Sequence, residues 1–147
     1  MDKAIYFDMD GTIADLYGQK DWLANLRKEK TAPYEKAQAM VDVGELKSLL
    51  NGLRAKGYAI GIITWLSKDS TQEYKRAVRC AKQDWLDKHF GLGYFDKIHM
   101  VQYGTPKHKV ATIKNAILFD DNEKVRQAWN IGTAHNEKEI LSTLRAL

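Results

Sequence analysis

The stretch KAIYFDMDGT (residues 3–12) decides both the fold class and the location of the functional site. Its first half is apolar and aromatic, which predicts a buried β-strand over residues 3–10. Asp8 and Asp10 lie one residue apart at the end of this strand, and Gly11 follows them as a turn residue. Two carboxylates this close repel each other unless a cation is present, so the pair indicates a metal site.

The composition predicts one globular domain over residues 1–147. Hydrophobic residues make up 44% of the chain and charged residues 29%, which excludes a disordered or membrane-embedded chain. At 147 residues the chain is long enough for one core and too short for two. Cys80 is the only cysteine, so an intrachain disulfide and metal sites built on cysteine pairs are excluded. The net charge of +4 favours anionic partners without requiring nucleic acid.

Neither export nor membrane insertion is predicted. The first part of the chain carries charged residues that interrupt the apolar core a signal peptide needs, among them Asp2, Lys3, Asp8 and Asp10. The longest apolar run, YAIGIITWL (58–66), is too short to cross a bilayer as a helix and predicts a buried strand instead. We therefore expect a cytoplasmic protein without a membrane partner.

Strand and helix patterns alternate along the rest of the chain. After the first strand, further strands are predicted at 58–64, 96–103 and 116–121. Helices are predicted at 43–57, 69–89, 105–115, 123–129 and 137–146. The long helix over 69–89 is expected to start at an Asp or Ser cap and to hold its charged face in solvent. Strands separated by helices imply right-handed crossovers, so the fold class is α/β, a Rossmann-like three-layer sandwich around a parallel sheet.

Residues 15–42 depart from this alternation. They are polar and helical in pattern, and they lie between the first strand and the first regular crossover helix, which predicts a short helical cap insertion. Trp22 within it belongs either to a helix packed on the core or to a lid whose aromatic side chain contacts substrate. Trp65 likewise either packs at the rim or stacks on a ring at the mouth of the site.

The carboxyl ends of the predicted strands gather polar side chains. In an open parallel sheet, ligands bind beyond these ends. The residues that arrive there are Asp8, Asp10, Thr64, a lysine of the 104–109 loop, Asp120 and Asp121. Crowded carboxylates fit Mg²⁺, which prefers oxygen ligands. One carboxylate can then attack phosphorus while a second handles the leaving-group proton, and a hydroxyl and a lysine stabilise the phosphate charge.

In chain order, DMDGT, IIT, a lysine opening a later helix and LFDD resemble the four motifs of the haloacid dehalogenase-like (HAD) phosphohydrolases, from Lys3 to the helix after Asp121. The resemblance implies that Asp8 forms a phosphoaspartate and that Asp10 acts as general acid and then base. It also implies that Thr64 binds phosphate. Mg²⁺ would be held by the Asp8 side chain, the Asp10 backbone carbonyl and an acid of the fourth motif. Because phosphatases of the family keep an aspartate at position 10, the implied reaction is phosphate-ester hydrolysis.

Two assignments stay open within this resemblance. The motif lysine is Lys107 or Lys109, and we favour Lys107 because apolar residues follow it three and four positions later. In the fourth motif Asp121 aligns best with the metal-binding acid, which leaves Asp120 a supporting role. The residues then expected to contact substrate are Gly11, Thr12, Trp65 and Lys109.

The insertion after DMDGTIADL is similar to that of small nucleotidases such as the 5′(3′)-deoxyribonucleotidases, which implies a nucleoside monophosphate as the first substrate expectation. The insertion is short for a lid, so an alternative is a phosphatase that acts on nucleic-acid ends or on another macromolecule. A third reading is a binding module that keeps the fold without the chemistry, against which the presence of both Asp8 and Asp10 argues. No residue predicts the oligomeric state.

Overall fold

A parallel five-stranded sheet forms the centre of the protein, whose computed structural model describes residues 2–147. In spatial order the strands are β5 (Lys97–Val101), β4 (Tyr58–Trp65), β1 (Lys3–Phe7), β6 (Ala116–Phe119) and β7 (Ala134–His135). Every pair of neighbours runs parallel, which confirms the predicted α/β class. The four residues of β1 after Lys3 are all buried, because this strand is paired on both sides and covered on both faces.

The fifth strand is a departure from the sequence prediction, which treated residues 130–135 only as an extended piece. Ala134 and His135 pair with the last two residues of β6. Gly132 precedes them with a φ of 153°, and a Cβ at this position would collide with the backbone of Ala116. A glycine is therefore needed for the chain to approach the edge of β6 closely enough to pair with it.

Helices cover both faces of the sheet, as the three-layer prediction requires. On one face lie α3 (Val43–Ala55), α4 (Gln72–Phe90) and α7 (Ile140–Arg145), which follows a 3₁₀ turn over Glu137–Glu139. The other face carries two short helices, α5 (Lys107–Val110) and α6 (Glu123–Ala128). No helix in the described residues 2–147 has the length and apolar character that a membrane crossing requires.

Two helix predictions need correction. The long helix α4 is capped by Thr71, whose hydroxyl accepts the Tyr74 amide at 3.1 Å, and not by an Asp or Ser. The helix predicted over 105–115 is a single turn, because Pro106 is its cap and the backbone becomes extended again at Ala111.

The insertion, residues 15–42, holds two short helices between two paired segments. The helices are α1 (Trp22–Arg27) and α2 (Ala32–Lys36), and the antiparallel pair is β2 (Ala14–Asp15) with β3 (Gln38–Ala39), which the sequence did not predict. Several hydrogen bonds attach the insertion to α4 and to the residue before it. The indole N–H of Trp85 donates to the Ala37 carbonyl at 2.8 Å. The Tyr74 hydroxyl donates to the Lys30 carbonyl at 2.7 Å, and the Glu29 carboxylate accepts the Thr71 amide at 2.9 Å.

Candidate active site

Strand register brings Asp8 and Asp120 side by side. Phe7 and Phe119 are register partners in β1 and β6, and their rings stack with centroids 5.3 Å apart. The backbone pairing continues one residue further, because the Asp8 amide donates to the Phe119 carbonyl at 2.9 Å and the Asp120 amide to the His135 carbonyl at 3.0 Å. The two aspartates therefore leave adjacent strands at the same level, at the carboxyl edge of the sheet.

A tight turn follows β1 and directs Asp10 away from Asp8. The Met9 carbonyl accepts the amides of Thr12, Ile13 and Ala14 at 3.0–3.1 Å. Gly11 has a φ of 80°, and a Cβ there would lie 2.5 Å from Asp121 Oδ2. Only glycine adopts this left-handed backbone without strain and leaves room for the Asp121 carboxylate. The turn after β1 and the position of Asp121 therefore depend on the same residue.

Lys107 binds the two adjacent aspartates. Its side chain is buried, and Nζ donates to Asp8 Oδ1 at 2.9 Å and to Asp120 Oδ2 at 2.7 Å. Burial alone would lower the pKa of Lys107, but the charges of Asp8 and Asp120 and their hydrogen bonds outweigh it and raise that pKa. Of the two candidate lysines, the structure therefore brings Lys107 to the acidic group, whereas Lys109 is exposed and is not among the residues that line the cavity.

Three carboxylates form a potential set of cation ligands. Asp8, Asp120 and Asp121 each offer an oxygen, and these oxygens lie within 4.8 Å of one another. Burial and the neighbouring charge of Asp8 raise the pKa of Asp120 above its ordinary value, and the same two causes raise the pKa of Asp121 to about 7. Such mutual repulsion between hard oxygen donors is what a divalent cation such as Mg²⁺ relieves, so these residues fit that ion.

Thr12 forms hydrogen bonds to two of these aspartates, Asp8 and Asp121. Its hydroxyl lies 3.0 Å from Asp8 Oδ2 and 3.2 Å from Asp121 Oδ1, and it accepts the Asp121 amide at 3.1 Å. The side chain is buried and its hydrogen-bonding capacity is used by these aspartates. Neither Thr12 nor Gly11 is among the residues that line the cavity, so the structure does not bring either of these two predicted substrate contacts to its surface.

Lys82 is a second buried lysine, and the sequence interpretation missed it. Its side chain is 1% exposed, and Nζ donates to Asp10 Oδ2 at 2.9 Å, to Thr64 Oγ1 at 2.7 Å and to the Trp65 carbonyl at 2.7 Å. Burial is the largest influence on Asp10 and raises its pKa, Asp8 adds to this effect, and Lys82 opposes it. The expectation that the charged positions of α4 lie in solvent is therefore wrong at Lys82.

The position of Lys82 in its helix indicates that its side chain faces the core. It lies four residues after Val78 and four before Leu86, and both of these residues are buried. Side chains four residues apart lie on the same face of a helix. A lysine within an apolar stripe needs an anionic partner or a polar acceptor in the core, which could have marked it as a candidate.

A cavity of about 630 Å³ opens above these side chains. We call Asp8, Asp10, Thr64, Lys82, Lys107, Asp120 and Asp121 the floor cluster; all of them except Lys82 line the cavity. The wall is the set of apolar and aromatic cavity-lining side chains of the insertion, namely Leu16, Tyr17, Trp22, Leu23, Leu26 and Tyr34. Trp65 also lines the cavity, and its indole N–H donates to the Thr105 carbonyl at 2.9 Å. That bond keeps its ring at the rim, 4.9 Å from the ring of Tyr103.

Comparisons with known proteins support the fold. No family model matches the chain, and no curated protein sequence matches it. Among solved structures, it is similar to the crystal structure of D,D-heptose 1,7-bisphosphate phosphatase from Burkholderia thailandensis, with a TM-score of 0.54 and 16% sequence identity. The similarity covers 96% of this chain and 84% of that chain. At this level of identity it establishes a shared fold, in agreement with the predicted Rossmann-like sandwich.

Proposed function

We propose that this protein is a Mg²⁺-dependent phosphomonoester hydrolase of the HAD type, which works through a phosphoaspartate on Asp8. One observation carries the proposal: the Asp8 carboxylate lies at the bottom of the cavity, bound by Lys107 and beside two further carboxylates. A structural neighbour that is named a bisphosphate phosphatase supports the same reaction class.

Asp8 is the nucleophile in this proposal. The bond from Lys107 to Asp8 Oδ1 orients the carboxylate, and the positive charge of Lys107 offsets the charge of an incoming phosphate. An Asp8 oxygen forms a bond to phosphorus while the ester bond breaks, and the leaving oxygen takes a proton from Asp10. Water then attacks the phosphorus of the phosphoaspartate and gives a proton to Asp10, the bond between Asp8 and phosphorus breaks, and inorganic phosphate leaves with Asp8 restored.

The choice between Asp120 and Asp121 as the metal-binding acid follows from which of their oxygens the protein itself uses. Both oxygens of Asp120 accept hydrogen bonds, Oδ2 from Lys107 and Oδ1 from the Asn122 amide. Asp121 accepts a bond only at Oδ1 within the described residues. We therefore assign Asp121, with the Asp8 side chain and the Asp10 carbonyl, to Mg²⁺, and Asp120 to the support of Lys107. When bound, the cation neutralises the carboxylates and the charge of the transferring phosphoryl group.

The wall suggests a substrate with a planar or apolar part. Tyr17 and Trp22 are in edge-to-face contact, with ring centroids 4.9 Å apart, and both line the cavity together with Trp65. Aromatic side chains that line a cavity suit a nucleobase. A nucleoside monophosphate is therefore our first substrate class, with the insertion acting as a small cap.

A second candidate is a phosphatase for nucleic-acid ends. Arg27 and Lys68 line the cavity, and neither forms an ion pair with another described residue. Two such cations are suited to the additional phosphates of a polynucleotide. Under this alternative, a 3′-phosphorylated oligonucleotide is hydrolysed faster than any mononucleotide.

The test is phosphate release from nucleoside monophosphates, a sugar phosphate and a 3′-phosphorylated oligonucleotide, with and without Mg²⁺. Asp8→Asn, which cannot form the phosphoaspartate, is expected to lower the rate by roughly 10³-fold or more. Asp84→Asn is the matched control, because Asp84 is exposed on α4 away from the cavity. Unchanged release by Asp8→Asn, or release that does not depend on Mg²⁺, contradicts the proposal.

A further inference from the structure

We propose that Lys82 is a positioning residue for the reaction: it makes Thr64 a hydrogen-bond donor toward the phosphate and selects the Asp10 oxygen that exchanges the proton. This inference rests on the proposed phosphatase function. It assigns a separate role to each buried lysine, because Lys107 binds the nucleophile Asp8 while Lys82 binds the acid–base residue Asp10.

The ammonium group of Lys82 has all its donors in use. A lysine carries three N–H donors and no acceptor. The three acceptors come from the turn after β1, from the side chain of Thr64 and from the Trp65 carbonyl at the end of β4, at 2.7–2.9 Å. Lys82 therefore joins two strand ends to α4 at a single atom and holds Asp10 and Thr64 at a fixed separation.

The bond to Thr64 determines what the hydroxyl can do. A threonine hydroxyl has one hydrogen and two acceptor positions. Lys82 can only donate, so Thr64 Oγ1 accepts from it and keeps its own hydrogen for another partner. Within the described residues Oγ1 has no other hydrogen-bond partner, and Thr64 lines the cavity. The hydroxyl is thus prepared to donate to an anionic oxygen in the cavity.

The bond from Lys82 to Asp10 makes the two carboxylate oxygens of Asp10 different from each other. Oδ2 accepts from Lys82, whereas Oδ1 has no partner among the described residues and is not a buried atom. Asp10 lines the cavity, so Oδ1 is the oxygen that a leaving group or a water molecule can reach. With Oδ2 occupied, the proton that is transferred resides on Oδ1, and the carboxyl group does not rotate between two equivalent orientations.

A purely structural role is the competing explanation. Lys82 would then only neutralise Asp10, since an unpaired buried carboxylate destabilises the folded protein. The two explanations differ in what they predict for the folded protein: neutralisation alone predicts lower stability with wild-type kcat, whereas a role through Asp10 predicts a lower kcat. If Lys82 acts through Asp10, its removal has little further effect on turnover in an Asp10→Asn background.

The experiment is a double-mutant cycle on kcat and KM with a nucleoside 5′-monophosphate, using wild type, Lys82→Met, Asp10→Asn and the double variant. We expect Lys82→Met to lower kcat by roughly 10²-fold with Asp10 present and by less than about tenfold with Asn at position 10, where only the positioning of Thr64 is lost. Lys88→Met, on the exposed face of the same helix, is the matched control and is expected to keep wild-type kcat and KM.

The leaving group provides a readout that a folding defect cannot imitate. p-Nitrophenolate needs no proton to leave, so the burst of p-nitrophenolate in a single turnover reports transfer to Asp8 without acid catalysis. We expect Lys82→Met to slow this burst by less than about tenfold while it slows transfer from the nucleotide by roughly 10²-fold. Equal loss on both substrates contradicts a role through Asp10.

Lys82→Arg keeps the experiment decisive if Lys82→Met does not fold. The arginine retains the charge, but a planar guanidinium cannot direct one N–H to each of three acceptors that surround a single nitrogen. A charge-neutralising role predicts wild-type kcat for this variant, and that result overturns the inference. A folded Lys82→Arg protein with kcat reduced by tenfold or more supports it. Wild-type protein that releases no phosphate from any ester overturns the proposed function instead, before the cycle begins.

Discussion

The floor cluster and the wall enclose the same cavity but are built differently. Every charged group of the floor cluster is hydrogen-bonded to another part of the protein, and most of its side chains are buried. The wall is apolar and partly open, with Tyr17 49% exposed and Leu23 42% exposed. The difference indicates a division of labour: the floor cluster fixes the reacting groups, and the wall accommodates a substrate that varies in shape.

The origin of each region in the chain explains this difference. The floor cluster stands on strand ends whose register is fixed by the central sheet, so a shift of one side chain requires a shift of a strand. The wall belongs to the insertion, which is not part of this sheet and is held against α4 by a small apolar cluster around Tyr34, Tyr74 and Val78 and by hydrogen bonds such as that from Trp85 to the Ala37 carbonyl. Substitutions in the floor cluster should therefore lower kcat, and substitutions in the wall should raise KM.

After Asp8→Asn, the largest expected effect is that of Lys107→Met in the floor cluster. Its removal leaves Asp8 and Asp120 without their buried counter-ion, and kcat should fall by roughly 10³-fold. The same substitution at Lys109 tests the remaining alternative for the motif lysine. Because Lys109 is exposed, kcat of Lys109→Met should stay within about threefold of wild type. The reverse ranking in steady-state kinetics would make Lys109 the motif lysine and would break the comparison.

Metal addition at two pH values tests the electrostatics of the floor cluster. The pKa of Asp121 is raised from 3.8 to about 7, so without a divalent cation the folded protein binds more protons than the unfolded chain between these values. The free energy of unfolding should then fall as the pH rises through this window. At pH 8 Asp120 and Asp121 are ionised, and Mg²⁺ at about 100 times its dissociation constant should restore about 2.7 kcal/mol, visible as a higher Tm. At pH 5 the increase in Tm should be smaller, because protons compete for the same oxygens.

Asp121→Asn is the control for this measurement. The substitution removes one of the mutually repelling charges, so at pH 8 without Mg²⁺ the variant should melt at a higher temperature than wild type. The increase in Tm with Mg²⁺ should be largely lost, because a metal ligand is missing. A wild-type response to Mg²⁺ in this variant would argue against Asp121 as the metal-binding acid.

Gly11→Ala should have the next largest effect. The new Cβ would lie 2.5 Å from Asp121 Oδ2 on a backbone with a φ of 80°, and the cost should be roughly 2 kcal/mol in the free energy of unfolding. Gly52→Ala is the matched control, since Gly52 is in α3 and a Cβ there meets nothing within 4 Å. It should stabilise the protein by roughly 0.5–1 kcal/mol in chemical denaturation. Equal stability of the two variants would show that the turn after β1 is less constrained than its contacts indicate.

Most of the floor cluster could be predicted because it lies at strand ends. Asp8, Thr64 and Asp120 follow apolar runs, and parallel strands bring such positions to the same edge of the sheet. Lys82 was not predicted because a helical pattern identifies which positions face inward but not which side chains or carbonyl groups they contact there. Its acceptors are 17 to 72 residues away in the chain, and only the tertiary structure brings them to one nitrogen.

The insertion that carries the wall was less predictable than the floor cluster, because its pairing depends on tertiary contacts. The paired segments β2 and β3 are two residues long each, too short for an alternating pattern to be visible in the sequence. The strand β7 has the same length and was recognised only as an extended piece. Their pairing depends on neighbours already in position, Ile13 for the insertion and β6 for the sheet edge, and not on a local preference.

Trp22→Ala should have the smallest effect, and it tests the wall itself. The side chain contacts Tyr17 and lines the cavity, and it belongs to α1, which has no fully buried residue. Loss of one aromatic contact with a nucleobase is worth about 1–1.5 kcal/mol, so KM for a nucleoside monophosphate should rise about tenfold while kcat stays within about threefold. Leu92→Ala, at an 88% exposed position away from the cavity, should change neither constant. If kcat falls and KM does not, then the wall takes part in orienting the reacting groups, and the functional boundary between it and the floor cluster disappears.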